Sequence, residues 1–150
     1  MLEYWRNPGA TEDKYNGEWL RTGDLGICDE DGYFWFKGRA DDVITTLGYR
    51  VGPGEIEDSL LKHPAVAVAA AIGIPDPVRT EIIKAFIVPV AGIVASDELT
   101  SEIQDWVRTR LAAHKYPREL EFIDELPMTA TGKVMRRVLR QREIDDKQEA

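Results

Sequence analysis

Cysteine and histidine are nearly absent: the 150-residue chain has Cys28 alone, together with His63 and His114. One thiol cannot close an intrachain disulfide, and one thiol with two imidazoles falls short of a four-ligand zinc site. No metal site is therefore expected. Positive charge is also short, with 19 Lys and Arg against 27 Asp and Glu and a formal net charge of -8. That balance excludes the basic face of a general nucleic-acid binder. No apolar run approaches the roughly 20 residues of a membrane span. Residues 1–15 have neither the basic start nor the apolar stretch of a secretory signal, so a cytoplasmic location is expected. With 43% hydrophobic residues, 12 Gly and 8 Pro, the composition is that of a folded chain. Its length suits one domain but is short for a complete two-substrate ATP enzyme.

The local pattern predicts an α/β (α+β) fold: a small mixed sheet flanked by helices and preceded by a β-hairpin. Asn7-Pro8-Gly9 and the polar residues after it mark residues 1–18 as loop-rich. Leu25 and Ile27, then Tyr33 to Phe36, form two strand-like runs around Asp31-Gly32, a pair that favours a tight hairpin. Further strands are expected over Val43–Thr46, Val66–Ile74, Ile82–Val90 (interrupted by Pro89) and Leu120–Ile123. Helices are expected from about Pro53 through Glu55 to Lys62, and after a cap at Ser96 or Asp97 with Leu99, Ile103, Trp106, Val107 and Leu111 in phase. A last helix is expected from Lys133 to about Ile144. The order after residue 42 reads β-α-β-β-α-β-α. The segment before it has little to bury against and reads as the end of a preceding domain.

Three segments carry Gly, Thr and charge beyond what packing needs. In Arg21-Thr22-Gly23-Asp24, a carboxylate beside glycine can accept from a ribose diol or close an Asx turn. In Gly38-Arg39-Ala40-Asp41-Asp42, followed by Gly48-Tyr49-Arg50, the planar forks of Arg39 and Arg50 can meet phosphate or sugar oxygens, or form surface ion pairs. Gly52-Pro53-Gly54 is a helix entry, without the spacing of a dinucleotide fingerprint. In Pro127-Met128-Thr129-Ala130-Thr131-Gly132-Lys133, Pro127 and Val134 stand where a P-loop needs Gly and Ser or Thr. What remains is a lysine on a flexible loop at the start of a helix, followed by Arg136, Arg137 and Arg140. That basic stretch can serve an anion or be a solvated helix end.

In this order and spacing, the segments resemble the adenylate-forming superfamily, and Pro75 to Arg79 with Tyr116-Pro117-Arg118 most resemble its medium-chain acyl-CoA synthetases. The resemblance implies that residues 1–40 end a large adenylating domain and that 41–150 form its small C-terminal lid. It implies activation of a carboxylic acid by ATP with Mg2+ to acyl-AMP, then transfer of the acyl group to coenzyme A. The Mg2+ ligands are expected in the upstream domain, and the isolated chain is expected to be inactive. By the same resemblance Asp24 and Arg39 hold the ribose, Arg50 meets the ATP phosphates and Lys133 is the adenylation lysine. Asp41 is the hinge of the lid's rotation. Leu47, Gly48 and Tyr49 face the CoA tunnel, and Arg79, Tyr116, Pro117 and Arg118 contact CoA. Leu47 departs from the family, which usually has a small residue there, and would narrow the tunnel. Two alternatives stand beside this reading: a free-standing non-catalytic module that binds a nucleotide or partner, and an adenylation domain that serves a carrier protein. Neither nucleic acid nor a membrane is an expected partner.

Overall fold

The computed structural model describes residues 3–149; positions 1, 2 and 150, the outer ends of the two expected segments, lie outside them. The chain divides into two compact units, Met1–Asp41 and Asp42–Ala150.

The first unit is thin. Its described residues form helix α1 (Pro8–Glu12), the short pair β1 (Tyr15–Asn16) and β2 (Trp19–Leu20), and the hairpin β3 (Asp24–Cys28) and β4 (Phe34–Arg39). None of these residues is fully buried. The helix and the first strand pair lie where a loop was expected. The turn residues start the helix: Asn7 accepts from Ala10 N at 3.1 Å, and Pro8 occupies the first turn, where its missing N–H costs nothing. The hairpin turn is held by Asp29, whose carboxylate accepts from Tyr33 N (2.9 Å), Asp31 N (3.1 Å) and Trp35 Nε1 (2.8 Å). These donors, Trp35 first, hold its pKa below the usual carboxylate range. Phe34, Trp35 and Phe36 remain exposed.

The second unit contains the core. A 3-10 turn ends at Asp42, and β5 (Ile44–Thr46), β6 (Tyr49–Val51), α2 (Pro53–Leu60), β7 (Val66–Asp76), β8 (Thr80–Pro89), α3 (Asp97–Arg110), β9 (Glu119–Phe122) and α4 (Arg136–Glu149) follow. β7 and β8 pair antiparallel from Val66↔Pro89 to Asp76↔Thr80, β9 runs parallel to β8, and the β5–β6 hairpin meets β8 at Thr80. The sheet is therefore mixed. Alternate residues of its long strands enter two separate cores. Ala69, Ala71, Ile83, Ala85 and Ile87 pack with Ile56 and Leu60 of α2 and Ile103 and Val107 of α3. Ala70, Ile72, Ile74 and Phe86 pack with Leu126 and Leu139. Trp106 Nε1 donates to Ser59 O at 3.0 Å and joins α3 to α2. No helix among the described residues is long and apolar enough to cross a membrane.

Three further expectations change. β6 was not foreseen, because three residues between Gly48 and Gly52 are too few to show an alternation. Pro89 ends β8 rather than interrupting it, as suits a residue with no N–H for the ladder. The last helix starts at Arg136, not Lys133. Residues 133–135 are committed elsewhere, through the Met128↔Val134 bridge and the bond from Met135 N to Pro127 O (2.8 Å).

Ser96, rather than Asp97, caps α3, with its hydroxyl accepting from Leu99 N at 3.2 Å. Gly73 has a different task. The Glu81 carboxylate lies across it, so close that a Cβ at Gly73 would meet the carboxylate carbon at 2.7 Å. Glu81 Oε2 there accepts from Thr45 N at 2.6 Å and pins β5 to the sheet. Gly73→Ala is expected to displace that carboxylate and destabilise the chain by about 1–2 kcal/mol. Urea unfolding checks this, and in a Glu81→Ala background the same substitution should cost much less.

Candidate functional site

The singled-out residues fall into three groups. In the first unit, Asp24 and Arg39 are cross-strand partners at the open end of the hairpin. Arg39 Nη1 donates to Asp24 Oδ1 (3.0 Å) and to Thr22 O (2.9 Å), and its Nε donates to Asp41 Oδ1 (3.1 Å). Both carboxylates raise the guanidinium's pKa, Asp41 first. Asp24 therefore spends one oxygen on an ion pair rather than on an Asx turn. Gly23, at φ +82°, is what lets the guanidinium lie so close: a Cβ there would come within 2.6 Å of Arg39 Nη2. The structure brings Asp24, Arg39 and Asp41 together as an exposed cluster of two carboxylates around one planar cation. The Asp24 carboxylate, with one oxygen on Arg39, suits the hydroxyls of a sugar diol.

The second group lies at the tip of the β5–β6 hairpin. Leu47 and Gly48 form a two-residue turn with both φ positive, +50° and +82°, as hairpins of this length favour. Leu47 N donates to Arg79 O at 3.0 Å, which joins this turn to the β7–β8 turn. The Asp76 carboxylate in turn accepts from Arg79 N at 2.7 Å. Tyr49 stacks on His114 with ring centroids 4.0 Å apart and planes 8° from parallel. Leu47, Gly48, Tyr49 and Arg79 are thus gathered, and the chain from His114 leads into Tyr116-Pro117-Arg118. That stretch is fixed by Arg118 N donating to Ile83 O (2.8 Å) and by Gln104 Nε2 donating to the Pro117 and Arg118 carbonyls. The Arg118 guanidinium lies 5.1 Å from the Tyr116 ring centre. Arg50 is exposed on β6 and has no carboxylate partner among the described residues.

Lys133 stands apart from both groups. The expected flexible loop is laced to itself. Thr129 N donates to Lys133 O (2.8 Å), Gly132 N to Thr129 O (2.9 Å), and Lys133 N to Thr129 Oγ1 (3.1 Å). Gly132 makes the corner at φ +76°. The Lys133 side chain is exposed and has no ion-pair partner among the described residues. It is an unneutralised cation on a defined loop, available to an anion. Its anchor, Val134, packs in the Phe86 core, whereas Val51 below the Leu47 turn packs in the other. The two loops therefore rest on different cores.

Sequence reasoning missed the network behind Lys133. Arg136 and Arg140 do not form a solvated basic face; they turn inward. Arg136 Nη2 meets Glu57 Oε2 at 2.6 Å, Arg136 Nη1 meets Asp42 Oδ2 at 3.2 Å, and Arg140 Nη2 meets Asp42 Oδ1 at 3.1 Å. Burial opposes the charge of Arg136, yet Glu57 and then Asp42 raise its pKa above the usual range. The 136/140 spacing, one helix face apart from Arg137, was the available signal. On the same helix Glu143 takes Lys84 Nζ at 2.6 Å, and Lys84 also meets Glu121 at 2.9 Å. Arg142 pairs with Glu121 as well. Among the described residues, no three of His, Cys, Asp and Glu cluster closely enough to hold a metal ion.

The family model for the AMP-binding enzyme C-terminal domain matches residues 55–133. The chain is 54% identical over 146 residues to an acetyl-coenzyme A synthetase of Bacillus subtilis, covering 97% of the chain and 26% of that protein. It is 51% identical over 143 residues to the mitochondrial acyl-coenzyme A synthetase ACSM4 of Mus musculus, covering 94% and 25%. Among solved structures, it superposes on the ATP-bound RpMatB-BxBclM chimera B1 with a TM-score of 0.82 and 37% identity, over 93% of this chain and 28% of that one. The chain spans about a quarter of the length of the curated relatives it matches.

In the β5–β6 turn, the left-handed φ of +50° strains the branched side chain of Leu47 by about 1–2 kcal/mol. Leu47→Gly is expected to raise the chain's stability by about 0.5–1 kcal/mol, part of the relief being offset by glycine's freer unfolded state. Thermal unfolding checks it: a lower melting temperature would show that the Leu47 side chain has packing worth more than its strain.

Proposed function

Because the chain belongs to the family of AMP-binding enzyme C-terminal domains, we propose that it is the C-terminal part of an AMP-forming acyl-CoA synthetase. The observation that carries this is the placement of Lys133: a lysine without a counter-ion on a loop closed by its own hydrogen bonds. In the first half-reaction a carboxylate oxygen attacks the α-phosphorus of ATP and pyrophosphate leaves. In the second the CoA thiol attacks the acyl carbonyl and AMP leaves.

Negative charge gathers on the oxygens around phosphorus as the first reaction proceeds, and the Lys133 ammonium is the group to meet it. Asp24 would accept from the ribose hydroxyls while Arg39 holds its carboxylate in place. The salt-bridged pair supports this assignment, because it fixes one oxygen and leaves the other to a ligand. Arg50 would approach the phosphates. Asp41 would be the hinge, with the unit boundary falling just after it. The Leu47-Gly48-Tyr49 turn, Arg79 and Tyr116 to Arg118 would face CoA, and the flat Tyr49–His114 stack offers an aromatic surface there. Residues 1–40 would belong to the large adenylating domain and 41–150 to the lid; the exposed Phe34, Trp35 and Phe36 fit a hairpin that packs on the rest of a larger domain. Mg2+ accompanies ATP in this reading, with its ligands upstream. A cytoplasmic location goes with it and is checked by cell fractionation, since one relative is bacterial and another is named mitochondrial.

The test uses the full-length enzyme with Lys133→Ala. Pyrophosphate exchange, which reports adenylation, should fall at least about 100-fold, the usual scale for losing one group that stabilises developing charge. Thioester formation from preformed acyl-adenylate should survive. If both half-reactions proceed at the wild-type rate, Lys133 is not the adenylation lysine.

A further inference from the structure

The unit boundary falls between two adjacent carboxylates that are tied in opposite directions. Asp41 is bonded back to Arg39 in the first unit. Asp42 is bonded into the second, its two oxygens divided between Arg136 and Arg140. Asp42 and Glu57 side chains are each 13% exposed and that of Arg136 19%, so these charges are well shielded from water. Two carboxylates face two guanidinium groups, and the set is internally neutral. Glu57 is fixed in turn, accepting from Ala71 N at 2.9 Å in the central sheet. Arg136 opens α4, three residues after Lys133, and Met135 N is tied to Pro127 O at the base of the lysine loop.

We propose that Asp42, Arg136 and Arg140 are positioning residues that lock the Lys133 loop to the start of the lid, so that rotation at the neighbouring link carries the lysine as one rigid piece. This rests on the reading of Asp41 as hinge and Lys133 as adenylation lysine. The two functional loops hang from the boundary in different ways. The Leu47-Gly48 turn follows it covalently, through β5. Lys133 is some 90 residues further along the sequence, but Arg136, three residues beyond it, pairs directly with Asp42. Losing them should loosen the lysine and spare the turn. A carboxamide at position 42 keeps the shape but not the charge, and leaves two guanidinium groups with one carboxylate. A displacement of about 1 Å at a reacting group can cost on the order of 100-fold in rate.

The experiment compares full-length wild type with Asp42→Asn, Arg140→Gln, the double variant and Lys133→Ala, in each half-reaction, with thermal unfolding to establish that each is folded. The expected result for Asp42→Asn is a fall of about 10- to 100-fold in kcat for pyrophosphate exchange with little change in KM for ATP. Thioester formation from preformed acyl-adenylate should change by less than about threefold. The double variant should be no worse than the more impaired single one, because both act through one network. Arg140→Gln leaves Arg136 paired with Asp42 and Glu57, so Arg136→Lys, which keeps the charge but gives up the fork that spans the two carboxylates, carries the same test should Asp42→Asn fail to fold. If Lys133→Ala abolishes exchange while the network variants behave as wild type, or lose both half-reactions equally, the positioning role is wrong and the ion pairs serve stability alone. If Lys133→Ala leaves exchange intact, the functional reading falls first and this proposal with it.

Discussion

The pairing of β7 with β8 is the constraint on which the second unit depends. These two strands are buried on both faces, so each successive side chain must satisfy a different core. The face built with α2 and α3 takes Ile83, Ala85 and Ile87; the opposite face takes Ile82, Phe86 and Val88. A slip of one residue would exchange the two sets and bring Lys84 into the core built with α2 and α3, whose buried members are all aliphatic. The register is thus enforced from both sides. Small residues help here: Ala69, Ala70 and Ala71 in the middle of β7 let helices on both faces approach closely.

The Lys84 face shows how a polar residue fits into such a sheet. Its ammonium emerges into a pair of carboxylates, Glu121 on the neighbouring strand and Glu143 on α4. Burial works against its charge, yet the two acids raise its pKa above the ordinary lysine value. α4 is consequently held by three kinds of contact: Leu139 in the core, Glu143 on Lys84, and Arg136 with Arg140 on Asp42 and Glu57. A helix whose sequence is mostly charged is secured by where its charges are, not by an apolar stripe. Charge-dependent docking of this kind is more specific in orientation than apolar contact alone.

The apolar runs made most of the second unit legible in the sequence. Val66 to Ile74 and the phased Leu99, Ile103, Trp106 and Val107 are long enough for periodicity to speak, and both elements lie where that pattern puts them. β6 and the two-residue strands β1 and β2 were not legible, because their stability comes from a partner strand rather than from their own pattern. At the site, individual residues were readable but their pairings were not. Arg136 and Arg140 look solvated in one dimension, since Asp42 and Glu57 are 94 and 79 residues away from Arg136 in sequence. The Gly-rich motifs gave the loops, while the bonds that brace the Lys133 loop come from threonines that also suit an unstructured turn.

That bracing has a thermodynamic consequence. Ordering a free segment of the chain costs about 1–2 kcal/mol for each residue fixed. Between Pro127 and Met135 that loss of freedom has already been incurred on folding, through bonds that involve no ligand. When an anion arrives, only the four-carbon stem of Lys133 remains to be immobilised, at a cost of no more than about 2 kcal/mol. The attraction between ammonium and anion is then not consumed in building the loop that carries it.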